Sequence, residues 1–160
     1  MPTLSELKGR PVISLNEGQK VGTIKDALID PVAKTVGGFL LQGNDGELAL
    51  PSSHSRAIGP DAVTIESAVS TQSPVGEGGL EGLRKFGDFT KEQVVDANGV
   101  HHGHLGDATF SDTGALTEVE IHSGGFLGLN EKKTDLLIGS VRSFGTNVVT
   151  IEAWPDEPAA

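Results

Sequence analysis

The chain has no cysteine and no tyrosine, and its 160 residues include only one tryptophan and one methionine. Without thiols there can be no disulfide, no thiolate metal site and no cysteine nucleophile. The aromatic side chains are six Phe and Trp154, too few to build a platform for stacked bases. Positive charge is also scarce: 12 Lys and Arg stand against 22 Asp and Glu, a net charge of −10. The basic residues are dispersed, and such a surface repels phosphate backbones, so nucleic acid is not an expected partner. No apolar run approaches the ~18 residues of a membrane span, which argues against direct membrane insertion. Met1-Pro-Thr-Leu-Ser-Glu-Leu lacks the basic stretch and apolar core of a secretory signal, so the expected location is cytoplasmic. Catalytic signatures are missing too. There is no Gly-x-Ser-x-Gly elbow, and Ser53-His54-Ser55 is an isolated contact. Gly76-Glu-Gly-Gly79 does not follow a strand and open a βα unit, as a phosphate loop must. The chain is therefore expected not to be an enzyme.

What is present is a duplication. Arg56-Ala-Ile-Gly-Pro-Asp-Ala-Val-Thr-Ile-Glu66 returns as Arg142-Ser-Phe-Gly-Thr-Asn-Val-Val-Thr-Ile-Glu152. Upstream, Val21–Ala27 matches His102–Ala108 and, more loosely, Leu7–Ile13 matches Phe89–Val95. A repeat of this length means that one small unit occurs twice and that each copy folds alike. The stretch between them, Val69-Ser-Thr-Gln-Ser-Pro-Val-Gly-Glu-Gly-Gly79, is rich in Ser, Pro and Gly without apolar period and reads as a linker. The pattern divides the chain into unit one (1–68), a linker (69–82), unit two (83–153) and a tail (154–160). Units of about 70 residues are close to the lower limit for an independent core, so the two are expected to pack on each other or on a second chain.

Gly and Pro punctuate short apolar runs every eight to twelve residues, the spacing of an all-β barrel or sandwich. Strands are expected near Pro11–Ser14, Lys20–Ile29, Thr35–Leu41, Glu47–Pro51 and Ala62–Glu66. In unit two they fall near Gln93–Asp96, His102–Phe110, Leu116–Ile121, Lys132–Ile138 and Asn147–Ala153. Ser52–Ile58 and Gly139–Phe144 read as single helical turns before the last strand. Closing each set of strands into a barrel would hide its edges.

Leu7-Lys-Gly-Arg-Pro-Val-Ile-Ser, Gly22-Thr-Ile-Lys-Asp26-Ala-Leu-Ile-Asp30, Leu48-Ala-Leu-Pro51 and the closing Gly-x-Asp-x-Val-Thr-Ile resemble the PRC-barrel domain family. Gly125-Phe-Leu-Gly-Leu-Asn-Glu-Lys-Lys resembles that family's long loop before strand four. The resemblance implies two tandem, pseudo-symmetric small β-barrels. Unit two departs from the pattern at Lys91 (the Gly9 place), Leu137 (the Pro51 place) and Ser111 (the Asp30 place). The family's members are adaptors rather than enzymes, among them the ribosome maturation factor's C-terminal half, the reaction-centre H subunit and archaeal cell-division proteins. Some small acidic bacterial members bind calcium.

Two functions follow as expectations. The first is an adaptor or assembly module that binds another protein or itself, with Phe126, Leu127 and Leu129 on a Gly-rich loop as the contact surface. The alternative is an acidic calcium-binding regulator or buffer, because carboxylates on turns supply the six to eight oxygens calcium takes. Its candidate ligands are Asp112, Glu118, Glu120, Glu131 and Asp135, though the oxygen-rich turns are also ordinary hairpin chemistry. Asp26 and Asp107 occupy one equivalent place and read as structural turn-fixing carboxylates. The cluster His101-His102-Gly-His104 has no counterpart in unit one. His102 and His104, two apart, share a strand face in this reading, with His122 on the next strand; three imidazoles so spaced can hold zinc or nickel. The other reading is plain surface histidines.

Overall fold

The computed structural model describes residues 2–71, 80, 82–124 and 131–155. Unit one contains α1 (Leu4–Leu7), β1 (Pro11–Ser14), β2 (Gln19–Asp30), β3 (Thr35–Gly43), β4 (Gly46–Pro51), β5 (Ser55–Ile58) and β6 (Val63–Ile65). Then come β7 (Arg84–Lys85), α2 (Phe86–Phe89), β8 (Gln93–Asp96), β9 (His101–Phe110), β10 (Leu116–Ser123), β11 (Lys132–Leu137), β12 (Val141–Phe144) and β13 (Val148–Ile151). The two sheets run β4-β3-β2-β1-β6-β5 and β11-β10-β9-β8-β13-β12, the same order twice. Both are mixed: β1–β6 and β8–β13 are parallel, and the other ladders within these two paths are antiparallel.

All ten expected strands form, with ends shifted by a few residues at most. Neither sheet closes by hydrogen bonding, in contrast to the expected closed barrel; β4 and β5 end the first path, β11 and β12 the second. The ends are joined by the chain instead, through the 3-10 turns Ser52–His54 and Ile138–Ser140. Those two turns are the expected helical turns, but they are shorter. Ser55–Ile58 and Val141–Phe144 leave them as strands because β6 and β13 offer antiparallel partners. The repeated Arg and Glu also acquire a role here: Arg56 pairs with Glu66, and Arg142 with Glu152 at 3.9 Å, across the same hairpin in each unit.

The units are not separate bodies. One hydrophobic cluster runs through both, from Leu4, Leu7, Val12 and Phe39 to Phe89, Leu105, Ile121 and Ile151. The short helices, invisible as periodicity because each carries only two apolar residues, are exchanged between the halves. α1 of unit one packs on β9, and α2 of unit two packs on β2. Asp107 accepts the Ser5 backbone N–H at 3.1 Å and the Ser5 hydroxyl, while Asp26 accepts the Gly87 backbone N–H at 3.0 Å. The two equivalent aspartates thus do structural work, and they do it across the units rather than at their own turns alone.

A pseudo-twofold axis passes between Thr35 and Ala115, which form an antiparallel bridge. The Val36 N–H donates to the Gly114 carbonyl (2.7 Å), and the Leu116 N–H donates to the Lys34 carbonyl (3.0 Å). Each bond is the other's symmetry image. The turns that supply the accepting carbonyls end in the left-handed region, at Gly114 (φ 87°) and at Lys34 (φ 57°), the one non-glycine residue with positive φ among those described. Likewise the Thr3–Thr109 bridge in one half is the image of Lys85 paired with Leu28 in the other.

Candidate metal-binding face of the second sheet

From Glu118 to His122, past an irregularity at Thr117, β10 alternates. Leu116, Val119 and Ile121 point into the core, whereas Glu118, Glu120 and His122 lie on the outer face. The ladders extend this face sideways. Glu120 stands between Asp107 on β9 and Asp135 on β11, and His122 stands between His104 on β9 and Lys133 on β11. Like charges directly opposite each other are destabilising, so the Asp107–Glu120–Asp135 row has a cost that sheet formation itself does not explain.

His122 is the centre of the most organised cluster. Its Nε2 lies 2.6 Å from Glu120 Oε1, and its Nδ1 lies 3.0 Å from Glu131 Oε1. The ring sits edge-on to His104, with centroids 5.5 Å apart. Residue 106 must be glycine for this placement, because a Cβ there would come within 2.2 Å of the His122 Nε2. His104, His122 and Glu131 offer one ligand atom each within 4.8 Å of one another, the one such trio among the described residues. Two imidazoles and a carboxylate are the donor set of a borderline divalent ion.

The remaining sequence candidates separate. Glu118, Glu120 and Asp135 meet around a cleft of ≈ 170 Å³ that Asp107 and Thr3 also line. Asp107 is already committed there, since its oxygens accept the two Ser5 bonds and the Ala108 N–H. Asp112 is exposed in the β9–β10 turn, beside Ser52, Ser53 and Ile58 of unit one. Glu131 belongs to the histidine pair instead. Phe126, Leu127 and Leu129 lie outside the described residues. Of the other oxygen-rich turns, Asn44–Glu47 has Glu47 tied to Lys25 at 2.7 Å, and the Lys25 ammonium holds the Glu47 carboxyl below its ordinary pKa.

The expectation that His102 and His104 share a face fails. A β-bulge sets His101 opposite Val95 and Gly103 opposite Val94, which leaves His102 as the extra residue, and Gly103 takes φ 124°. His102 therefore turns the other way. Its Nε2 meets the buried Asp96 at 2.7 Å, and its ring stacks on Trp154 with centroids 4.3 Å apart. Asp96 also accepts the Asn98 and Val100 N–H groups. The His102 hydrogen bond, followed by the Val100 N–H, keeps its carboxyl below the ordinary aspartate pKa. Glu17 stands below its ordinary value for a similar reason, led by the Ala68 N–H and then the Ser14 hydroxyl.

The order β4-β3-β2-β1-β6-β5 and the Arg56…Glu66 hairpin account for the motifs quoted from the first unit, and the family model of the PRC-barrel domain matches residues 3–72. The first unit is a PRC-barrel domain. The second repeats that domain's strand order but lies outside the match. No curated protein compared with the chain matches it. Within the PRC-barrel domain, the places of His104, His122, Glu120 and Asp135 are held by Thr23, Gln42, Leu40 and Ala49, so the organised cluster belongs to the second unit alone.

Sequence reasoning had put His104 and His122 on neighbouring strands and named Glu131 and Glu120. It missed that these four form one cluster. The signal was the register: once Leu105 faces Ile121, His104 faces His122.

Proposed function

We propose that the chain is a non-enzymatic assembly module that binds another protein, and that it works in the cytoplasm. The observation that carries this reading is the outer face of β9, β10 and β11, where Glu118, Glu120 and Asp135 stand beside Leu137, which is 68% exposed. In the PRC-barrel domain the equivalent Leu40, Ala49 and Pro51 are buried. An acidic face with an apolar neighbour fits a basic protein surface, and the Phe126–Leu129 segment adjoins it in sequence. Among the described residues, no helix is long and apolar enough to cross a membrane. The non-enzymatic part of the reading is supported by side-chain commitments: His54 Nδ1 faces the Ser70 carbonyl rather than a serine hydroxyl, and Ser55 Oγ donates to the Ser52 carbonyl. The test is affinity capture with the full chain, comparing wild type with Glu120→Lys/Asp135→Lys and with Phe126→Asp/Leu129→Asp. Loss of the same captured protein in both variants is expected. Capture unchanged in both sinks the reading.

A calcium-binding regulator is the second reading, favoured by the cleft that gathers Glu118, Glu120 and Asp135. Calorimetric titration of the metal-free protein with calcium, and with magnesium as control, separates it from simple acidity. Saturable heat from calcium alone supports the site. Equal weak heat from both ions leaves only charge screening.

A further inference from the structure

His122 is flanked by carboxylates on both nitrogens, Glu120 at Nε2 and Glu131 at Nδ1. A neutral imidazole carries one N–H, so it can donate to one of them only. When Nε2 donates to Glu120, the shorter contact at 2.6 Å, Nδ1 is left without a hydrogen. The Nδ1 lone pair then faces a carboxylate oxygen 3.0 Å away, an arrangement of two acceptors that holds only with a cation between or beside them. That cation is either a second proton on His122 or a metal ion.

Two features favour the metal. His104 brings a second imidazole to the same point, which a proton does not need. Glu120, hydrogen-bonded to the outer nitrogen of His122, stands where a carboxylate orients a metal-bound histidine and raises its basicity. Lys133, opposite His122 on β11, opposes binding by its charge.

We propose that His104, His122 and Glu131 form a binding site for one divalent ion of the zinc class, with Glu120 as the positioning residue of His122 and water completing the coordination. The inference is independent of the assembly and calcium readings.

The PRC-barrel domain supplies fold-compatible replacements, since Gln42 and Thr23 hold the equivalent positions. Zinc is titrated into the metal-free full chain against a chromophoric zinc chelator. One zinc per chain is expected, with affinity falling at least about tenfold in His122→Gln, in His104→Thr and in Glu131→Gln. His101→Ala, at an exposed histidine outside the trio, should leave it unchanged. Glu120→Gln should weaken zinc about tenfold or more and should change the ¹⁵N shifts that report which His122 nitrogen carries the proton. Absence of stoichiometric zinc, or zinc affinity indifferent to His122→Gln, overturns the proposal. Unchanged circular dichroism and unfolding midpoint in the two histidine variants keep a lost site distinct from a lost fold.

Discussion

The two halves share a strand order and a common core, yet they use the outer face of the β2-β3-β4 layer in opposite ways. In the first unit Leu28, Leu40 and Ala49 on that face are buried, and Leu80 reaches to within contact of Gly38. In the second, Glu118, Glu120 and Asp135 stand at the places of Gly38, Leu40 and Ala49 and remain accessible to solvent. The inner face is the same in both, with Phe39 and Leu41 matched by Val119 and Ile121. Duplication preserved what the core requires and left the outer face to diverge. That face is covered and apolar in one copy; in the other it is open and carries carboxylates and imidazoles.

The sharpest way to break this comparison is to exchange the two residues that define it. Leu40→Glu puts a carboxylate at a site only 4% exposed and should cost about 3–5 kcal/mol in a urea unfolding curve. The reverse change, Glu120→Leu, removes one hydrogen bond to His122 at a half-buried place and should cost no more than about 1.5 kcal/mol. Comparable costs for the two would mean that the outer faces are not different environments.

Next in size is the tie between the halves. Asp107→Ala strands the Ser5 N–H and hydroxyl and should cost about 1–3 kcal/mol. Asp26→Ala loses one inter-unit bond, from Gly87, and should cost less. Both should lower a single cooperative transition measured by fluorescence of Trp154 and by circular dichroism together. Two separate transitions would show that the shared core does not unite the units.

The smallest effect is expected from pH. Asp96 has a depressed pKa, whereas the equivalent place in the PRC-barrel domain holds Ser14, which does not titrate. Because the folded value lies below the unfolded one, the unfolded chain binds more protons between them. The stabilisation from Asp96 is therefore full above the ordinary aspartate range and is lost as pH falls through the depressed value. Replacing Asp96 by Ser should flatten that part of the acid limb of a stability–pH curve, and an unchanged limb would remove Asp96 from the account.

Much of this was legible in the residues. The Val-Thr-Ile-Glu repeat and the turn punctuation gave strand positions and the pseudo-symmetry, because β-branched alternation and Gly/Pro turns are local properties. Three things were not. The four-residue helices each bury two apolar side chains where the units meet, α1 on both β9 and β2 and α2 on β2, and no local signal marks them. The strand ends are joined by chain turns rather than by a ladder, which periodicity does not report. The bulge at Gly103 sent His102 to Asp96 and left His104 to His122, a change of facing that one inserted residue produces and that spacing alone reads wrongly.

By itself, then, the sequence determined the repeated all-β unit, the absence of thiol chemistry and the acidic charge, since each depends on residue identity and near neighbours. The tertiary structure decided that the halves exchange helices around one core. It also decided which outer face is covered, and that His104, His122, Glu120 and Glu131 meet. Those outcomes depend on register and packing between segments up to a hundred residues apart, where the physical chemistry lies in contacts that no local pattern contains.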